Sequence, residues 1–165
     1  MAYMTPLFKY VRTPIPQGVD LKAVEVFDDV LKADVLINCP IAKDHGSTRL
    51  TLGMKNLMGV ILDRDTMHVN LGQRIADLAS LVRPQLNVVD AVRILVANGP
   101  TGGGDLSNVR KTDTVIVSPD IVAADSYATG LFGLQPDDIG YIRAGAAMGL
   151  GRKDLQGLKI QDIPV

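Results

Sequence analysis

Two lysines and a histidine follow a short apolar run, and their chemistry suits an anionic ligand. Lys43 and His45 come after Asn38-Cys39-Pro40, and Lys55 follows further along the chain. Ammonium groups attract a carboxylate or a phosphate, and an imidazole exchanges a proton near neutral pH. Solvated lysines beside a helix and a histidine that caps a turn give the same pattern. Spacing alone therefore leaves both interpretations open.

A carboxylate interrupts an apolar helical face later in the chain. The apolar residues that share this face with Asp125 are Ile121, Ala128 and Phe132. This face is expected to meet the sheet, and burying an unpaired carboxylate costs several kcal/mol. We therefore expect Asp125 either to pair with one of the three basic side chains or, without such a partner, to accept backbone hydrogen bonds or stay protonated.

A glycine-rich loop runs from Asn98 through Gly99, Gly102 and Gly103 to Asp105. Successive backbone N–H groups in such a loop can bind an anion. The loop lacks the Gly-Lys-Ser/Thr ending of a P-loop and does not fit G-x-G-x-x-G. We predict a flexible loop over the site, with Asn98, Gly99, Gly102 and Gly103 as ligand contacts.

The elements around Lys43 and His45 place them near the carboxyl end of a strand. Residues 33–37 form a brief apolar run typical of a buried strand, and Pro40 ends it. Residues 43–46 are predicted to form a polar loop. A helix is then predicted from apolar residues at helical spacing: Leu50, Met54, Leu57, Met58 and Ile61. Open α/β sheets hold their ligands at this end.

The rest of the chain alternates helical and strand patterns. Helices are predicted over 19–32 with Asp20 as N-cap, from a capping box of Asn70 and Gln73 to Val82, from Ser118-Pro119-Asp120 to Gly133, and from Pro136 to Met148. Strands are predicted over 86–90, 114–117 and 158–160, and residues 91–97 fit a strand extension or a helical turn. This order predicts an α/β fold, a mostly parallel sheet of about four strands flanked by helices. Residues 1–19 form an extended arm, and 20–165 a single domain.

Composition argues against several classes of protein. The net charge is -1 and tryptophan is absent, so we expect neither nucleic-acid nor membrane binding. No apolar run approaches the roughly 20 residues of a membrane span, and the N terminus lacks a signal-peptide pattern. A cytoplasmic location is therefore expected. The two histidines form no His-x-x-x-His motif, and we predict no metal site.

The motif Asn38-Cys39-Pro40, Lys43, His45, Lys55-Asn56 and Gly59 resembles the signature of the domain-of-unknown-function 362 family. The residues at which the pattern continues are Asp90, Asn98-Gly99-Pro100, Asp120 and Asp125. The chain matches the later part of the usual domain. Members often carry a ferredoxin-like iron–sulfur module, so the resemblance implies an association with redox chemistry. It also implies a functional role for Lys43, His45 and Lys55.

Cys39 is the only cysteine, so this chain cannot supply the four thiolates of an iron–sulfur cluster. We expect no cofactor in this chain and place any cluster on a missing segment or a partner chain. Cys39 itself is expected to be a small buried hydrophobe at a strand end rather than a reactive thiol.

Two functional hypotheses follow. In the first, Lys43 and Lys55 hold a small anionic molecule, His45 acts as acid or base, and Asp90 and Asp125 orient them. The ligand contacts are then Asn38, Asn56, Asp90 and the glycine loop. A redox reaction is implied by the resemblance alone. The alternative is a non-catalytic binding or assembly module, or a fragment of a larger enzyme. A homo-oligomer or a missing N-terminal half is expected to cover the edge of so thin a sheet.

Overall fold

The computed structural model describes residues 7–164, so the first six residues of the predicted arm and Val165 lie outside the described part. The strands are β1 (Tyr10–Pro14), β2 (Ala23–Phe27), β3 (Ile37–Asn38), β4 (Ile41–His45), β5 (Arg49–Thr51), β6 (Leu86–Leu95) and β7 (Val109–Ser118). The α-helices are α1 (Asp28–Lys32), α2 (Gly53–Asn56), α3 (Leu71–Leu81), α4 (Ile121–Gly130) and α5 (Gly140–Ala147). Short 3₁₀ segments lie at Leu7–Lys9, Leu57–Val60, Asp65–Asn70, Gly102–Gly104, Leu106–Asn108 and Pro136–Asp138.

Strand β6 is the centre of a five-stranded sheet. β3 and β4 run parallel to β6, β7 runs antiparallel along β6, and β5 forms an antiparallel hairpin with β4. Three of the five strands thus share one direction, and helices flank the sheet. The predicted α/β class is confirmed. β1 and β2 form a separate antiparallel ribbon.

The two faces of this sheet are covered differently. Helix α4 packs on the face where Val89 and Ala91 are fully buried. On the opposite face, the side chains that stay more than half exposed are Ile37 (53%), Ile41 (52%), Val115 (55%) and Val117 (59%). These four residues define what we call the open face.

The hydrophobic core lies between the covered face of the sheet and the helices. Its fully buried side chains include Leu50, Leu52, Met54, Ile75, Leu78, Ile94, Val122, Tyr141 and Ile142. Of the described helices α3 is the longest, with 11 residues, and none is long and apolar enough to cross a membrane.

The prediction of a helix over 19–32 is wrong except for its last turn, which is α1. Val24 and Val26 alternate with a less buried Glu25, and this period of two suits β2 in its pairing with β1. Asp20 caps no helix; its backbone N–H donates to Asp77 instead.

The segment with Lys43 and His45 also differs from the prediction. The predicted buried strand over 33–37 forms only from Ile37, and none of these residues is buried. The predicted polar loop is strand β4, which a turn at 46–48 joins to β5. Leu50 belongs to β5, so the predicted helix shrinks to α2 and one 3₁₀ turn. The pairing of β5 with β4, and of β4 with β6, prevails here over the helical spacing.

In the second half, most elements lie where they were predicted, with different ends. β6 continues to Leu95, so the strand extension is the correct alternative. Asp120 rather than Ser118 caps α4, because its carboxylate accepts the Ala123 N–H at 2.9 Å. α3 begins without the predicted capping box, because the Gln73 side chain donates to Asp77. β7 is longer than the predicted strand over 114–117, and a 3₁₀ turn precedes α5 within the predicted last helix. The predicted strand over 158–160 does not form.

Replacing Asp77 with alanine is predicted to destabilise the fold by about 3 kcal/mol or more. The fully buried carboxylate accepts the backbone N–H groups of Val19, Asp20 and Leu21 at 2.7–2.8 Å. Hydrogen bonds to a charged group each contribute about 1.5–3 kcal/mol, and buried donors left unpaired add to the loss. Urea denaturation measures the free energy of unfolding. The control Asp34→Ala, at an exposed position, should change it by less than about 0.5 kcal/mol; an equal effect of both changes would contradict the anchoring role.

Candidate functional site

Asp125 of α4 lies against the first turn of α2. Its Oδ1 accepts the Gly53 N–H at 2.6 Å, and its Oδ2 accepts the Met54 N–H at 2.9 Å. The carboxyl is fully buried, and within residues 7–164 no lysine, arginine or histidine forms an ion pair with it. Of the predicted alternatives, the structure therefore shows backbone hydrogen bonding.

The contact between Asp125 and α2 requires a glycine. A Cβ atom on Gly53 would lie 2.7 Å from Asp125 Oδ1 and 3.2 Å from a side-chain carbon of Ile121. Any other residue would push the helix away from the carboxylate. Gly53 thus allows the backbone approach that makes the two hydrogen bonds short.

Asn38 and Asn56 tie the same short helix to the sheet. Asn38 Nδ2 donates to the Gly53 carbonyl and to Asn87 Oδ1, both at 3.0 Å, and Asn56 Nδ2 donates to Asn38 Oδ1 at 2.8 Å. Asn38 is buried and Asn56 is exposed. The amides of both residues, predicted as ligand contacts, therefore hold α2 against β3 and β6.

Burial raises the pKa of the Asp125 carboxyl to about 7, although the two N–H donors lower it. The charge of Asp120 adds to the rise. The same burial, with the charge of Asp125, raises the pKa of the neighbouring Tyr141 hydroxyl well above its ordinary value. The Asp125 carboxyl, which holds the first turn of α2, thus has a pKa close to neutral pH.

The three predicted basic side chains come together between β4 and α2. Lys43, His45 and Lys55 are all partly buried. Burial lowers the pKa of Lys55, and the charges of Lys43 and Arg64 lower it further. Burial and then the charge of Lys55 lower the pKa of His45, against an opposing effect of Asp44.

Two more basic residues, Arg64 and His68, belong to this group, although the sequence pattern did not predict them as site residues. Arg64 acts on Lys55, and His68, like Lys43, lowers the pKa of His45. Both lie at the 3₁₀ segment after α2, where His68 Nδ1 is 3.1 Å from the Arg64 carbonyl oxygen. We call Lys43, His45, Lys55, Arg64 and His68 the basic cluster. No run of basic residues marks Arg64 and His68 in the sequence, since Asp63 and Asp65 flank Arg64.

Lys43, Lys55 and Arg64 of the basic cluster have no ion-pair partner among the described residues, since no carboxylate lies within ion-pair distance of them. The Lys55 ammonium has a Met58 sulfur at 4.0 Å as its hydrogen-bond partner. The nearby Asp44 is engaged elsewhere, because its Oδ2 accepts the Gly99 N–H at 2.9 Å.

The glycine loop lies against the end of β4. A Cβ atom on Gly99 would lie only 1.7 Å from the Asp44 carbonyl oxygen, so this approach requires glycine. Asn98 accepts the Gly102 N–H at 2.8 Å through its carbonyl. Gly102 is buried, whereas Asn98 and Gly103 are exposed. The structure thus brings part of the predicted loop to the strand that carries Lys43 and His45.

Asp90 and Cys39 lie elsewhere than predicted. Asp90 is in the middle of β6 rather than at its carboxyl end, is exposed, and accepts the Val92 N–H at 3.0 Å. Cys39 is exposed rather than buried, because the alternation along the chain turns Asn38 and Pro40 inward. Within residues 7–164 no three histidine, cysteine or acidic side chains are grouped as metal ligands.

A cavity of about 390 Å³ is lined in part by His45. It includes neither Lys43 nor Lys55. Its lining residues are Asp44, His45, Gly46, Arg49, Leu50, Val96, Arg110, Phe132 and Leu134. Both arginines already have partners, Asp138 at 3.2 Å for Arg49 and the Leu131 carbonyl for Arg110. His45 therefore belongs both to the lining of this cavity and to the basic cluster.

The free energy of unfolding is predicted to fall as the pH rises from about 4 to about 7. Over this range folded Asp125, with a pKa of about 7, keeps a proton that the unfolded chain, with a pKa of 3.8, has released. Higher pH therefore favours unfolding. Asp125→Asn cannot titrate, so its free energy of unfolding should lack this pH dependence. Between pH 5 and pH 8 the wild type should lose about 3 kcal/mol more than the variant, at about 1.4 kcal/mol per pKa unit. Parallel pH profiles in urea denaturation would contradict the raised pKa.

Comparison with known proteins identifies relatives of this chain. The Thylakoid-associated protein sll1697 of Synechocystis sp. is 28% identical to it over 131 residues, which is 74% of this chain and 40% of that protein. The chain therefore spans less than half the length of this relative. No solved structure matches the chain. The family model described as Domain of unknown function (DUF362) matches residues 4–130. Because this match covers most of its length, the chain belongs to the DUF362 family.

Proposed function

We propose that the chain binds a small anionic molecule at the basic cluster. The observation that carries the proposal is that the partly buried Lys43 and Lys55 and the exposed Arg64 have no carboxylate at ion-pair distance among the described residues. Bringing like charges together in a partly desolvated site costs free energy, and an anion removes that cost. Lys43 and Lys55 are the proposed cationic contacts, and His45 is the proposed acid or base.

The other predicted site residues divide into two groups. Asp125 and Asn38 act indirectly in this proposal, because their hydrogen bonds position the helix that carries Lys55. Exposed groups near the cluster and at the loop remain proposed ligand contacts: Asn56, Asn98 and Gly103. Asp90, whose carboxylate bonds within its own strand, is not part of this proposal.

We extend the proposal to a redox reaction that uses an iron–sulfur cluster on another segment or on a partner chain, in the cytoplasm. Its support is the resemblance to family members with iron–sulfur modules, together with the share of the relative that remains unmatched. The ligand count of this chain requires another source of thiolates, since it has one cysteine.

Anions should stabilise the protein, and this effect should depend on Lys55. We expect several degrees of increase in the melting temperature with millimolar phosphates or carboxylates at constant ionic strength, because ligands that bind only the folded state stabilise it. Lys55→Met should remove the increase. The control Lys159→Met makes the same change of charge at an exposed position and should keep it.

Two results of this experiment would contradict the proposal. One is a wild-type protein that no anion of the panel stabilises. The other is an equal loss of stabilisation in Lys55→Met and Lys159→Met, since it would assign the effect to net charge rather than to the basic cluster.

A second candidate function is assembly, and the open face favours it. We propose that a second copy of the chain covers the apolar residues of this face. Exposed charges of both signs, Asp90 and Arg93, lie beside them on β6. In a two-fold interface the same patch meets itself, so opposite charges on one copy can pair with those on the other. An uncovered apolar sheet face is also a poor surface to leave in water.

Light scattering at micromolar concentration is expected to give the mass of a dimer. Val117→Glu places a charge on the open face and should produce a monomer that still unfolds cooperatively. Leu106→Glu makes the same change at a side chain that is 84% exposed and lies off the sheet, so it should leave the dimer intact. A monomeric wild type would rule out this mode of assembly.

A further inference from the structure

The cavity of about 390 Å³ lies where open α/β sheets hold their ligands. Strands β4 and β6 run parallel and end at His45 and Leu95. The cavity is lined by residues 44–46, at the end of β4, and by Val96, which directly follows β6. Ligands of open α/β sheets bind beyond the carboxyl ends of the parallel strands. The cavity therefore has the position of a ligand site, and its volume is typical of small-molecule sites.

Apolar side chains form one part of the cavity wall. Leu50 is buried, and Val96, Phe132 and Leu134 are half-buried. Phe132 and Leu134 come from the segment that follows α4, so they lie on a different element from the strands. Small-molecule sites usually combine such a wall with a few polar groups that fix the orientation of the ligand. The wall favours a ligand with an apolar body, because its burial removes apolar surface from water.

Two arginines supply the charged part of the lining. Arg49 lies directly across the hairpin from His45, and Arg110 is in β7. Each uses one nitrogen within the protein: Arg49 Nη1 is 3.2 Å from Asp138, and Arg110 Nη2 donates to the Leu131 carbonyl. A guanidinium group has five N–H donors, so both arginines keep donors for a ligand. Arginine binds carboxylates through two parallel hydrogen bonds.

The remaining polar groups limit the charge of the ligand. His45 Nδ1 accepts the Ser47 N–H at 3.1 Å, so the neutral ring carries its proton on Nε2 and offers a donor. Burial and the charge of Lys55 lower the pKa of His45, which keeps the ring neutral at neutral pH. Asp44 adds a carboxylate to the lining. Two guanidinium groups and one carboxylate suit an anion with a single charge better than a phosphate dianion.

We propose that this cavity binds a small monocarboxylate with an apolar body, such as an aryl or branched alkyl carboxylate. The guanidinium groups of Arg49 and Arg110 bind the carboxylate, and the apolar body packs against Phe132 and Leu134. This site is separate from the proposed anion site at the basic cluster and does not depend on it, because neither Lys43 nor Lys55 lines the cavity.

Phenylacetate is the probe for this site. It is titrated into the ¹⁵N-labelled full chain at pH 7.5 and constant ionic strength, and backbone amide shifts are followed by NMR. The amide signals of Gly46, Val96 and Arg110 should move. The Kd for phenylacetate should be at least about tenfold lower than that for acetate, which lacks the apolar body, or for phenylacetamide, which lacks the charge.

Arg110→Met should weaken phenylacetate binding at least about tenfold, because it removes charge-assisted hydrogen bonds. Arg110 is exposed, so the variant should fold. The matched control is Arg152→Met. Arg152 is also exposed and donates to a backbone carbonyl, that of Gln156 at 2.9 Å, but it lies outside the cavity lining. It should keep the wild-type affinity. Lys55→Met, which should remove the stabilisation by phosphate, should also keep the phenylacetate affinity.

Four results would overturn the proposal. Phenylacetate that moves none of the cavity amides would exclude the site, and phenylacetamide that binds as tightly would exclude carboxylate recognition. An equal loss of affinity in Arg110→Met and Arg152→Met would assign binding to net charge. Phenylacetate binding that is lost in Lys55→Met would place the ligand at the basic cluster instead. Absence of stabilisation by phosphate would contradict only the anion site at the basic cluster, so the two proposals fail separately.

Discussion

A buried carboxylate holds the first turn of a four-residue helix, and the geometry of the candidate site depends on it. Helices as short as α2 have almost no stability of their own, so tertiary contacts must fix their position. Asp125 supplies two hydrogen bonds to its N terminus, and Asn38 binds the Gly53 carbonyl from the sheet. Together they set where Lys55 meets the side chains of β4. A residue that interrupts an apolar helical face in the sequence thus acts through another element.

The cluster built in this way departs from the rules that the rest of the molecule follows. The core is mostly apolar, and the Asp77 carboxylate accepts four hydrogen bonds. Exposed residues such as Lys9 and Asp29 place opposite charges side by side. Around Lys55, the charges of Lys43 and Arg64 act on the ammonium, and no carboxylate of the described residues lies at ion-pair distance from it. Proteins accept such local conflicts mainly where a ligand resolves them. The conflict supports the binding proposal more strongly than any single residue type does.

Sequence patterns predicted the class of the fold because its main elements are strongly periodic. The stripe of α3 and the apolar runs at 86–90 in β6 and 114–117 in β7 are consistent with a single interpretation each. The β4–β5 hairpin was missed because Leu50 and Met54 also fit a helical spacing, and only pairing with β6 decides between the two patterns. Asp125 stands out in the sequence, but its partners are backbone groups that no side-chain pattern reveals. The contribution of Arg64 and His68 depends on the path of the chain after α2, which the residue types do not reveal.

The pKa of Lys55 is the most direct measure of whether the positive charges of the basic cluster lack compensation. NMR titration of lysines labelled at the side-chain carbons reports the pKa of each ammonium group separately. The account predicts a Lys55 pKa below its ordinary value of 10.5, because burial and the charges of Lys43 and Arg64 oppose the ammonium form. It also predicts that saturating phosphate raises this pKa. An ordinary pKa that phosphate does not move would contradict the account. Solvent would then already stabilise the Lys55 ammonium, and the cluster would hold no charge repulsion for an anion to relieve.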